Sequence, residues 1–255
     1  MTPEHAGTGA GPLVVAALAV VAAAAYVLLV LAARRSGRGW DPRRTASFLT
    51  GCALVVVAGP AGTALGGFPG HMVVHLLVGM VAPVPLVLGA PLTLAVRALP
   101  VGRARTLTRL LRSRPVAVLT VPWVALLLDA GGLWVLYCTP LFTAMMRDPA
   151  VGVLVHVHVL LTACLFAWTV AGPDPVPHRP SVPRRLVVLG VAVAAHAALS
   201  QLLYAGVLVE VPGPAPGRMA GAQLMYWFGD LAEVALALAV LGRWRPAARP
   251  APAPA

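Results

Sequence analysis

Apolar residues in this chain do not alternate with polar ones; they run together in long blocks. Stretches of about 20 apolar residues suffice for a helix to cross the hydrocarbon core of a bilayer. Seven such stretches stand at 12–33, 46–66, 71–95, 116–136, 151–171, 186–209 and 220–241. Lipid offers no partner to a bare peptide group, so each must satisfy its own backbone hydrogen bonds as a helix. The pattern predicts an all-α fold, a polytopic membrane bundle of seven transmembrane helices. The connections are too short to hold a separate soluble domain. Residues 1–245 therefore read as one transmembrane domain, and the Pro/Ala-rich tail 246–255 is expected to be disordered.

Composition sharpens this picture. The chain is 59% hydrophobic and only 11% charged, and all nineteen basic residues are arginine. Without lysine it cannot carry a retinal or pyridoxal Schiff base. A net charge of +11 would ordinarily point to nucleic acid, but these arginines lie between the apolar blocks, where they act as topology signals. Seventeen fall in the segments after the first, third, fifth and seventh blocks. Only Arg147 and Arg218 fall on the other side. The positive-inside rule then puts the N-terminus outside and the C-terminus in the cytoplasm. The first eleven residues carry no basic charge, so the first block is expected to stay as a span. Cys52, Cys138 and Cys164 form no close pair that would read as a disulfide framework or a zinc site.

Polar residues inside the blocks carry the chemistry, because ionisable groups at membrane depth are functional candidates by default. His71 and His75 stand four apart at the start of the third block, one turn apart on one helical face. Met72 lies between them. His156 and His158 open the fifth block, about 200° apart around a helix, so both rings cannot reach one site without distortion. Met145 and Met146 sit in the loop before them. Neutral imidazole and thioether suit copper better than magnesium or calcium. His71, His75, His156, His158, Met72, Met145 and Met146 are thus candidate metal ligands on the outer side. Pro83, Pro85 and Pro91 predict a kink or break past the middle of the third span. Deeper in the bundle, Asp129, His196, Gln223, Asp230 and Glu233 are candidates for a polar core that orients imidazole N–H groups or anchors helices. Gln223, Trp227 and Asp230 share a helical face, read as an interior stripe. For His196, near mid-span, metal binding and a plain pairing with Asp129 or Asp230 are both open.

The stretches HMVVHLLVGMVAPVPLVLGAPLTLAVRALP (71–100), HVHVLLTACLFAW (156–168), GPDPVPHR (172–179), HAALS (196–200) and AGAQLMYWFGDLAE (220–233) resemble the CtaG-type family of cytochrome c oxidase assembly membrane proteins. The resemblance implies a seven-helix membrane factor, not an enzyme, that helps assemble a heme–copper oxidase of the caa type. It implies copper as the cargo, delivered toward the oxidase's binuclear centre, and oxidase subunits in the plasma membrane as partners. Neither nucleic acid nor a small-molecule substrate is expected. The rival readings are a copper permease, a heme-binding electron carrier and a metal-free membrane scaffold.

Overall fold

The computed structural model describes residues 9–177 and 179–242; the tail 246–255, expected to be disordered, lies outside them. Every regular element among the described residues is helical. Helix α1 (Ala10–Arg35) buries Gly11, Val15, Ala19, Tyr26, Val30 and Ala33, a stripe at helical spacing. Its other face exposes Leu13 (70%), Val21 (66%) and Leu28 (66%). Water would not tolerate so continuous an apolar face, but lipid solvates it.

Helix α2 (Pro42–Leu65) starts where Asp41 accepts a hydrogen bond from the Arg43 N–H at 2.9 Å. It ends at Gly66 and Gly67, whose φ values of 68° and 55° only glycine adopts without strain. The chain turns there directly into α3 (Gly67–His75). A Cβ on Gly70 would collide with the Gly62 carbonyl. The two backbones touch, as small residues allow in membrane helix pairs.

The third span, Gly67–Ala98, is 32 residues long and breaks earlier than its prolines alone predict. Immediately after His75 the helix widens into a π segment, Leu76–Val81, and resumes as α4 (Pro83–Leu88) and α5 (Pro91–Ala98). Pro83 has no N–H to give the preceding turn, and its ring crowds the carbonyl of Gly79. The wide turn relieves that crowding upstream of the proline, with Ala82 N–H donating to Leu77 O at 2.9 Å. Other helices supply the donors missing further on. Ser47 donates to Pro85 O (2.8 Å), and the Tyr26 hydroxyl donates to Gly89 O (2.7 Å) while accepting from Trp40 Nε1 (3.0 Å). Buried Asp174 accepts from the Leu92 and Thr93 amides at 3.0 and 2.8 Å. It thereby caps α5 from 82 residues away. Arg179 ties that loop together by donating to Gly172 O and Asp174 O. Burial lowers its pKa, and the Asp174 charge opposes that shift.

Helix α6 (Val101–Leu111) buries no residue and is followed by α7 (Arg114–Leu119) and α8 (Pro122–Cys138). The expected span 116–136 is therefore split ahead of Pro122, which cannot donate back to Val118. Among the described residues, six helical spans are long and apolar enough to cross a membrane. A seventh counts only if α8 and α9 (Leu141–Arg147), bent by 79°, form one span. Helix α10 (Pro149–Ala171) packs against α1, α4 and α8. Helix α11 (Val182–Ala205) packs against α12 (Ala215–Leu241), which also lies along α3. This packing brings histidines from α3, α10 and α11 together.

Candidate metal centre

The seven candidate ligands do not converge on one point. Around the end of the bundle where α3 begins and α8 finishes, His71 and His156 face each other with ring centres 6.4 Å apart. His156 Nδ1 is 2.8 Å from the Gly152 carbonyl. Only a protonated ring nitrogen can make that bond, so the lone pair sits on Nε2. The ring lies over Gly11 of α1, where a Cβ would overlap it. His71 Nε2 is 2.9 Å from the Tyr137 hydroxyl, which in turn donates to Met72 Sδ at 3.9 Å. In the tautomer that carries its proton on Nε2, His71 donates to the phenol oxygen and keeps its lone pair on Nδ1. In that tautomer each ring keeps one donor nitrogen and uses the other to hold its orientation, as metal-binding imidazoles do. A cavity of about 20 Å³ lies among His71, His75, Tyr137 and His156.

The methionines divide. Met72 is wholly buried beside Tyr137, and Met145 (3% exposed) sits in the same apolar cluster with Leu136, Phe142 and Leu203. Met146 is partly buried at its edge. His158 turns away from His156, as the 200° offset requires. It is exposed and lies 3.2 Å from the Leu128 carbonyl of α8.

One turn further along α3, His75 borders that same cavity and also meets His196 of α11, ring centres 6.3 Å apart and planes inclined by 38°. His75 Nε2 and both His196 nitrogens are buried without a hydrogen-bond partner, as is Glu233 Oε2. Of the two readings open for His196, the pairing with Asp129 or Asp230 is not made. Its ring instead rests on Gly229 of α12, too close for a Cβ there. Next to it a cavity of about 60 Å³, room for a few waters, is lined by His196, Glu233, Asp129, Met80 and Gly79. Asp129 has the Thr162 hydroxyl at 3.4 Å.

On α12 the expected interior stripe faces outward. Gln223 is exposed and Trp227 is 66% exposed, while Gly221, Ala222, Met225, Gly229, Ala232 and Glu233 are buried. Asp230 lies half-buried between the faces. Small side chains let α12 approach its neighbours, so they decide which side turns inward. Among the described residues, no three His, Cys, Asp or Glu side chains come together closely enough to hold a metal ion. The arrangement is two imidazole pairs in succession.

Tyr137 was not among the residues singled out in the sequence. Nothing in the periodicity of its own helix marks it, since its role comes from contact with His71, 66 positions away.

Residues 24–247 match the family described as cytochrome c oxidase caa3 assembly factor (Caa3_CtaG). Uncharacterized proteins of Mycobacterium tuberculosis (strain CDC 1551 / Oshkosh) and Mycobacterium leprae (strain TN) are 36% and 34% identical to it over 193 residues, 72% of this chain. The matched region makes up 29% of each relative, so this chain spans less than a third of their length. No solved structure matches.

Proposed function

Because the chain belongs to the cytochrome c oxidase caa3 assembly factor family, we propose that it supports oxidase assembly by holding copper transiently between His71 and His156 and passing it to a nascent oxidase subunit in the same membrane. The single observation that supports this reading is the pair itself. Two half-buried rings on different helices are each held by one nitrogen, so that the other can offer its lone pair to a metal. Thioether sulfur at Met72 and the Tyr137 hydroxyl stand beside them. Two nitrogen donors and a nearby soft sulfur favour weak, exchangeable binding of copper over storage. That suits a protein whose task is transfer.

In this reading, which the arginine distribution favours, this end faces outward and the C-terminus faces the cytoplasm, so copper would be met from outside the plasma membrane. In this reading the chain carries out no catalysis; its partners are oxidase subunits and lipid. Replacing both rings, His71→Gln with His156→Gln, should lower the copper content of the oxidase assembled in the same cells about ten-fold while its heme content stays near normal. Unchanged oxidase copper would overturn the proposal. The absence of any three-residue ligand cluster among the described residues favours one alternative, a metal-free scaffold, and that outcome is what a scaffold predicts.

A further inference from the structure

We propose that His75 and His196 form a second site, a two-coordinate station for monovalent copper buried in the middle of the bundle. This inference rests on the copper-handling reading above and deepens it.

The argument begins with unpaired nitrogens. His75 and His196 are 6% and 5% exposed, and three of their four ring nitrogens are buried without a partner. Buried polar atoms are nearly always hydrogen-bonded, and each exception needs an explanation. Three on two adjacent rings is a concentrated exception. The two rings do not satisfy each other. A direct N–H···N bond of about 3 Å would bring the ring centres to roughly 5 Å, whereas they stand 6.3 Å apart. With one ion between two ring nitrogens, and metal–nitrogen bonds of about 2 Å, the centres would lie roughly 6 Å apart. The observed separation is too wide for a shared proton and leaves room for an intervening ion.

Coordination number selects the ion. Zinc takes four ligands and magnesium six oxygens, and no third His, Cys, Asp or Glu joins the pair among the described residues. Copper in its monovalent, filled-shell state accepts soft or imidazole donors and does not require a full tetrahedral shell. Two neutral imidazoles leave the complex with one positive charge, which needs compensation at this depth. The adjoining cavity provides it, since Glu233 is 8% exposed with an unpartnered oxygen and Asp129 lines the same space.

The backbone is shaped around the pair. Gly229 leaves room for the His196 ring, and Gly79, inside the π segment that opens immediately after His75, lets Val159 and the edge of the His75 ring pack closely against it. π turns inside helices frequently occur at functional sites. Because His71 and His75 are one turn apart on α3, an ion leaving the first pair has the second within a single helical turn.

The test uses the purified full chain loaded anaerobically with Cu(I) alone, with copper counted per chain and its surroundings read by X-ray absorption. Wild type should hold two ions. His71→Gln/His156→Gln should hold one, with two nitrogen neighbours and no sulfur. His75→Gln/His196→Gln should hold one, with the absorption signature changed. If His71→Gln/His156→Gln holds none while wild type holds one, the second station is overturned and the first stands. If wild type holds none, both readings fall. Should the His75→Gln/His196→Gln protein not fold, as judged by circular dichroism, the other two preparations decide the matter unaided.

Discussion

The two imidazole pairs have nearly the same separation, 6.4 Å for His71 and His156 and 6.3 Å for His75 and His196, yet their surroundings differ in kind. In the first pair each ring has a nitrogen engaged, by Tyr137 or by the Gly152 carbonyl. In the second, three nitrogens have no partner and two carboxylates lie alongside. A pair already oriented by hydrogen bonds gains mainly a ligand when metal arrives. A pair with unsatisfied buried nitrogens also gains relief from a desolvation penalty. In this account the shallow pair exchanges its ion readily and the deep pair is stabilised by holding one.

Substitution can break this contrast at several points. The largest effect is expected from Gly229→Ala, whose new Cβ would overlap the His196 ring. Overpacking of this kind costs about 1–3 kcal/mol, read as a lower thermal transition of the purified protein. Gly190→Ala on α11, with open space around its Cβ position, should leave the transition unchanged or slightly raised. Equal responses at the two glycines would mean that the His196 ring is not held where its contacts indicate. Tyr137→Phe should cost about 1 kcal/mol, the net worth of a buried hydrogen bond, because it removes the hydroxyl that joins His71 to Met72. It should also weaken copper retention at the first pair several-fold and leave the second pair alone. His158→Gln sharpens the contrast by doing little. Its ring is exposed and turned toward α8, so stability should stay within about 0.5 kcal/mol and copper stoichiometry should not change. A loss of copper there would bring His158 back among the ligands.

Six of the seven spans were legible because lipid imposes a length and an apolar composition on each of them, whereas the stretch 116–136 is split ahead of Pro122. The break in the third span was legible in kind but not in place. Prolines at 83 and 85 reveal that a turn must yield, but neighbouring packing decides where, and it yielded next to His75. The separation of His156 from His158 followed from helical angle alone. The pairing of His75 with His196 did not, because it depends on α3 and α11 meeting 121 positions apart in the chain, and only Gly229 on a third helix makes space for the ring. The α12 stripe shows a second limit. Gln223, Trp227 and Asp230 do share a face, but in a bilayer polarity alone does not identify the inward side. Gly221, Ala222, Gly229 and Ala232 do, since close approach drives membrane helices together.

The most direct test is of transfer itself. Purified protein carrying isotopically labelled Cu(I) is mixed with membranes from cells that lack it, and the label is then measured in the isolated oxidase. The account predicts labelled oxidase with the wild-type protein and only the background given by free labelled copper with His71→Gln/His156→Gln. Equal labelling by the two proteins would contradict it.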